Sequence, residues 1–119
     1  MPALRDAIAA KLRRENGLDV GAENVIVTTG GQEGLFLVMQ ALLDPGDEIL
    51  VPDPRYTSYD DAILSAGGAM VMVPTDHEDA FNLRAEAVEA AITPRSKALL
   101  IVTPSNPTGG IVTEERLRE

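Results

Sequence analysis

Residues 98–110 read ALLIVTPSNPTGG. Five apolar residues lead into Thr103-Pro104-Ser105-Asn106-Pro107-Thr108-Gly109-Gly110. A short apolar run that ends in turn residues reads as a buried strand. The residues beyond the run cannot be helix. Pro104 and Pro107 fix φ and push the residue before each of them out of the α region, while Gly109-Gly110 admit positive φ. Asn106 is thereby held at the carboxyl end of a strand, carrying both a donor and an acceptor. Two readings stand at this point. The stretch is a rigid turn closed by an Asx-type hydrogen bond, or it is a loop built to present one amide to a ligand.

The same run-then-turn grammar repeats upstream. Val25-Ile26-Val27-Thr28-Thr29, Glu48-Ile49-Leu50-Val51 and Ala69 to Val73 each read as a strand. Helical patterns lie between them. Leu4, Ile8 and Leu12 recur every fourth residue and stop at Asn16-Gly17. Leu35 to Leu43 is apolar on nearly every side, which predicts a fully buried helix. Asp44-Pro45-Gly46-Asp47 places Pro and Gly at the centre of a turn. Tyr56, Tyr59, Ile63 and Ala66 form a helical stripe closed by Gly67-Gly68. Leu83, Val88, Ala91 and Ile92 mark a further helix with Asn82 as its N-cap, and Thr113 caps a last turn rich in acids. The order is a helix, then strand and helix four times over. The strands are continuous apolar runs and not alternating ones. That predicts an α/β fold, a mainly parallel sheet between two layers of helices (αβα). In such folds ligands bind beyond the carboxyl ends of the strands, here Thr28–Gln32, Pro52–Tyr56, Pro74–Asp79 and Thr103–Gly110.

Composition narrows the function classes. The chain has 119 residues, 45% of them hydrophobic and only 3% aromatic, so one domain or part of one has a core of aliphatic side chains. A net charge of -9 argues against nucleic acid and against anionic membrane surfaces as partners. Cysteine is absent, which excludes disulfides, thiolate metal sites and cysteine nucleophiles. No apolar run reaches the roughly 18 residues of a membrane span, residues 1–20 carry no secretory pattern, and a cytoplasmic setting is expected. The sequence starts and stops abruptly, with its last helical pattern confined to residues 113–119. A helix that short is not stable alone in water, and the expectation is a piece of a longer protein.

Three segments carry candidate chemistry. TTGGQEG (28–34) joins a strand to the apolar helix. It is either a tight turn or an anion site at a helix N-terminus. It matches neither the Walker A pattern nor G-x-G-x-x-G. Tyr56 comes after the second strand at the ligand end, where its ring either stacks on a flat heterocycle or packs on the sheet. For Tyr59 packing is the reading. Asp60, Asp61, Asp76, Glu78 and Asp79 do not have the spacing of an EF-hand and read as solvated charge, as does His77, the single histidine. No metal site is expected.

Four stretches, TTGGQEGL (28–35), ALLDPGDEILVPDPRYTSY (41–59), AITPRSKAL (91–99) and TPSNPTGG (103–110), resemble, in order and spacing, the large domain of fold-type I aminotransferases dependent on pyridoxal 5′-phosphate, the class I/II or aspartate-aminotransferase-like group. The resemblance spans essentially all 119 residues. It implies that residues 1–119 are part of the large, cofactor-binding domain, with the rest of that domain and the small domain lying elsewhere. Backbone amides at Gly31, Gln32 and Glu33 would hold the cofactor phosphate, with the Glu33 side chain turned away from it. Tyr56 would stack on the pyridine face. Asn106 would donate its amide to the phenolic oxygen and favour the phenolate. The family's Schiff-base lysine has no counterpart here. Only Lys11 and Lys97 are present, the first on the opening helix and the second at the amino end of a strand, so no catalytic residue is assigned. The implied parent is a homodimer that moves an amino group from an amino acid to a 2-oxo acid, and the 119-residue chain alone is expected to be inactive. A carbon–sulfur lyase of the same fold, a non-catalytic remnant serving as an interaction module, and a Rossmann-like nucleotide-binding domain are the rival readings.

Overall fold

The computed structural model describes all 119 residues. They fall into two compact units, Met1–Gly34 and Leu35–Glu119. In the first unit, α1 (Pro2–Asn16) has Pro at its first position and ends at Gly17, whose φ of 67° is left-handed. This is the predicted stop. Arg5 donates Nε to the Ala22 carbonyl at 2.8 Å and Arg13 donates to the Val20 carbonyl at 2.5 Å. The two contacts tie α1 to the next stretch of chain. Val25–Thr29 is extended at its start, with Val25 at φ -111° and ψ 122°, but it joins no ladder and Ile26 is 79% exposed. The predicted first strand is therefore absent. β-branched residues favour extended backbone, but strand stability comes from cross-strand partners, and this run has none.

The helix α2 (Gly30–Leu42) leads into the second unit. That unit holds β1 (Glu48–Asp53), α3 (Ser58–Ser65), β2 (Ala69–Pro74), α4 (Ala85–Ala91), β3 (Ser96–Leu99) and α5 (Glu114–Arg118). The sheet has three strands in the order β2-β1-β3, all parallel. It has three strands and not four, and β3 begins two residues before the predicted 98–102 and ends three before it, with one further ladder bond from Leu100 N–H to the Leu50 carbonyl at 2.9 Å.

Alternation along β1 separates two cores. Ile49 and Val51 face α2 and α3, packing with Met39, Leu43, Ala62 and Ile63. Leu50 faces the other way with Val73 and Leu83, against Ala87, Val88 and Ala91 of α4. Helices thus cover both faces, as the continuous apolar strands require. Only one side of α2 is used. Leu35, Met39 and Leu42 face the core at helical spacing, whereas Phe36, Leu37 and Val38 are exposed. The prediction of a fully buried helix does not hold.

Smaller features divide the same way. The turn at Asp44–Asp47 forms, closed by Asp47 N–H to the Asp44 carbonyl at 3.0 Å with Gly46 at φ 92°. Gly67 ends α3 at φ 79°, and Thr113 caps α5 by accepting from Arg116 N–H at 3.3 Å. Asn82 does not cap α4. Arg84 stands at that N-cap position, and the buried Asn82 Oδ1 has no partner. No helix is long and apolar enough to cross a membrane.

Candidate functional site

The carboxyl ends of the parallel strands meet one edge of the second unit. There the segment after β3 closes on itself. Ser105 N–H donates to the Gly110 carbonyl at 2.7 Å and Gly109 N–H to the Ser105 carbonyl at 2.8 Å. Gly110 N–H reaches Thr108 Oγ1 at 3.1 Å, and Val112 N–H reaches Thr103 Oγ1 at 3.2 Å. The Thr103–Pro104 and Asn106–Pro107 peptides are cis. Ser105, Thr103 and Thr108 thus make the hydrogen bonds that an Asx turn would have asked of Asn106. The Asn106 side chain is exposed and takes no part in holding the loop. Of the two readings of this stretch, the Asx-closed turn is not what forms.

Gly109 and Gly110 serve different ends. Gly109 sits at φ 74° with open space where a Cβ would be. At Gly110 a Cβ would lie 2.8 Å from the Ala80 carbonyl oxygen and 3.2 Å from the Phe81 Cβ. The loop therefore docks on Ala80-Phe81, two successive residues in the left-handed region at φ 51° and 56°. Nothing in the sequence signals that pair, because neither residue is glycine or asparagine.

Asn106 shares a hollow with Ser105, Gly110, Pro52, Arg55 and Tyr59, among others. Its volume is about 30 Å³, room for a couple of waters and not for a heterocycle. Tyr59 packs against the α2–α3 core, as predicted, and burial pushes its hydroxyl pKa up. Tyr56 lies before α3 and not on it. Its ring meets Tyr59 edge-on, centroids 5.8 Å apart and planes 79° apart, and it is 40% exposed.

The sequence did not single out Arg55. Its Nε and Nη2 donate to the two oxygens of Asp60 at 2.9 and 2.6 Å, and Nη1 reaches Asp53 at 3.3 Å. The Arg55 hydrogen bonds hold the Asp60 carboxyl below the usual carboxylate range, with burial opposing. Asp60 is thus a paired, half-buried group and not a solvated charge. The available signal was an arginine and an aspartate five residues apart with Tyr56 between them.

The other predicted site lies in the first unit, where α2 begins. The first N–H groups of any helix have no acceptor within it. Gly30, at φ 81°, starts the turn, with its N–H on the Thr28 carbonyl at 2.9 Å. Gly31 is exposed, and a Cβ there would meet nothing within 4 Å. Glu33 folds its carboxylate back onto Thr29 N–H, and that bond holds its pKa down. Lys97 pairs with Asp47 at 3.3 Å at the amino end of the sheet, and Lys11 donates to Asn16 Oδ1 at 2.7 Å on α1.

Residues 1–119 match the family "Aminotransferase class I and II". A probable aspartate/prephenate aminotransferase of Thermus aquaticus is 52% identical over 118 residues, covering 99% of this chain and 31% of the relative. The solved aspartate aminotransferase from Thermus thermophilus with maleate is 50% identical, with a TM-score of 0.94 over 98% of this chain and 31% of the other. An aromatic aminotransferase from Pyrococcus horikoshii OT3 superposes equally well, TM-score 0.94 at 36% identity, over 99% of this chain and 32% of the other. The chain thus spans about a third of the length of these relatives. By its sequence over residues 1–119 and by the structural match of its fold, the chain belongs to the class I and II aminotransferases.

Proposed function

We propose that this chain supplies the phosphate- and ring-binding part of the large domain of an aminotransferase dependent on pyridoxal 5′-phosphate. The carrying observation is the Asn106 loop, which is closed by Ser105, Thr108 and the two glycines and leaves the asparagine amide over to face a ligand. In this reading Asn106 donates its amide to the phenolic oxygen and stabilises the charged form. Tyr56 offers an exposed ring face at the same sheet edge. The amides of Gly31, Gln32 and Glu33 hold the phosphate at the start of α2. Open space at Gly31 lets phosphate oxygens come close, and the Glu33 carboxylate, drawn back to Thr29, keeps its charge on its own capping bond. When bound, the cofactor acts as an electron sink at the substrate α-carbon. These residues bind and orient it. None of them is placed to carry a proton, and both lysines are engaged elsewhere, by Asp47 and by Asn16. The longer protein would be a cytoplasmic homodimer that exchanges an amino group between an amino acid and a 2-oxo acid. The chain alone does not transaminate.

The test is a titration of the ¹⁵N-labelled chain with pyridoxine 5′-phosphate, which has no aldehyde to react with lysine. Weak binding should shift the Gly31, Gln32 and Glu33 backbone amides and the Asn106 side-chain amide. Asn106→Ala should keep the fold and abolish the response of the ring-side residues. Shifts that spare both groups refute the assignment. Turnover of an amino acid and 2-oxoglutarate by the purified chain with added pyridoxal phosphate refutes the inactivity.

A further inference from the structure

The segment that carries Tyr56 has no regular structure of its own. It spans the few residues between the end of β1 and the start of α3, where a loop side chain would ordinarily sample several rotamers. Here it is tied from both sides. Arg55 precedes Tyr56, and Asp60 lies in the first turn of α3. The two-point fork between them, at 2.9 and 2.6 Å, bridges the residues on either side of the ring. A third contact, Arg55 to Asp53 at 3.3 Å, ties the guanidinium to the end of the strand. The side chains of Arg55 and Asp60 are only 18% and 25% exposed. A planar bidentate pair in that setting is geometrically specific and poorly screened, unlike a surface ion pair. Tyr59 N–H on the Tyr56 carbonyl at 3.3 Å and the edge-on ring contact complete the fixing. Arg55 and Asn106 line the same hollow.

We infer that Arg55 and Asp60 are positioning residues, an ion-pair clamp that fixes the ring of Tyr56 at the carboxyl end of β1. The inference rests on the proposed role of Tyr56 as the ring that faces the cofactor. Neither clamp residue touches the cofactor in this scheme. The clamp orders the ring before anything binds, so that ordering does not have to occur on binding. Arginine is required, because a lysine ammonium cannot span both carboxylate oxygens with a planar fork.

The chain has two tyrosines and no tryptophan, which makes the test direct. Tyr59→Phe keeps the edge contact and leaves Tyr56 as the only tyrosine emitter. In that background Asp60→Asn and Arg55→Met should each enlarge the fast-depolarising part of the Tyr56 anisotropy decay by about twofold, the signature of a ring released to sub-nanosecond rotamer motion. Arg55→Lys should be released in the same way. The circular dichroism spectrum should stay that of the parent. Unchanged depolarisation in folded Asp60→Asn and Arg55→Met chains overturns the clamp. Loss of the fold in both also overturns it, since the pair would then be holding the unit together and not one ring. A separate arm tests the role of Tyr56 itself. Pyridoxine 5′-phosphate should move the Tyr56 ring-proton resonances of the unaltered chain. If those do not move while the clamp variants still free the ring, the clamp stands and the cofactor-facing role of Tyr56 fails.

Discussion

Substituting Gly110 by alanine tests whether the asparagine loop is held by close backbone approach. The added Cβ would lie 2.8 Å from the Ala80 carbonyl oxygen, 3.2 Å from the Phe81 Cβ and 3.2 Å from Thr108 Oγ1. A relaxed carbon–oxygen contact needs about 3.3 Å, so the loop or the Ala80 carbonyl must move by roughly half an ångström. The carbonyl has little freedom to do so. Ala80 N–H is bonded to the His77 carbonyl at 3.1 Å, Phe81 N–H to Asp76 at 2.7 Å and Asn82 N–H to Asp79 at 2.9 Å. Ala80 and Phe81 are already left-handed. On the other side, Gly110 is held by Ser105 and Thr108. With both surfaces pinned, the cost should reach the upper part of the usual overpacking range, about 2–3 kcal/mol. Gly109→Ala is the control. It meets no atom within 4 Å at φ 74°, so it carries only the left-handed penalty of about 1–2 kcal/mol. Urea unfolding followed by far-ultraviolet circular dichroism gives both values. The expected order is parent, then Gly109→Ala, then Gly110→Ala as the least stable. A Gly110→Ala chain as stable as Gly109→Ala would refute the packing argument.

Two other substitutions probe strain and buried charge. Ala80→Gly relieves a left-handed penalty of about 1–2 kcal/mol and adds unfolded-state freedom worth roughly 0.4–1 kcal/mol. A small net gain in the urea midpoint is expected, and a fall would show that Ala80 is not strained. Glu48 is buried and accepts from the Thr93 hydroxyl and from Arg95, the latter through Nε at 2.9 Å. The Thr93 bond first, and Arg95 after it, hold its pKa below the usual range, against the upward push of burial. A carboxyl depressed in the folded state contributes stability above its unfolded pKa of about 4.3 and loses it as pH falls through the folded value. Stability should therefore decline below about pH 4.3, and less steeply in Glu48→Gln. Equal slopes would remove Glu48 from the acid response.

What the sequence shows and what it hides divides by the range of the interaction. Caps and turns are local, and they were legible. Gly17, Gly67, the Asp44–Asp47 turn and the Thr113 cap each formed where residue chemistry places them. Burial and pairing are non-local. The apolar run at 35–43 looks the same from every side, yet only Leu35, Met39, Leu42 and Leu43 meet a core. Val25–Thr29 has strand composition without a strand partner. Asn82 has a capping side chain, but the chain doubles through Ala80-Phe81 and starts α4 beyond Arg84. The Arg55–Asp60 pair was hidden for a related reason. A charge in a loop looks solvated until the loop's fold brings its partner within about 3 Å.

The asparagine loop shows why a strong motif left its purpose open until the hydrogen bonds were traced. Prolines and glycines around an Asn suit a turn closed by its own side chain as well as a turn that displays it. The difference lies in who satisfies the backbone. Ser105 does so through both its N–H and its carbonyl, and Thr103 and Thr108 supply hydroxyls to Val112 and Gly110. A loop with its internal bonds already made gains nothing structurally from an asparagine at position 106. Its amide is left over for something outside the loop, while in the hollow it lines, the Tyr59 ring packs on the core and the Arg55 guanidinium is committed to Asp60. The restraint and the recognition are carried by different residues, which is why changing Asn106 should alter binding while changing Gly110 should alter stability.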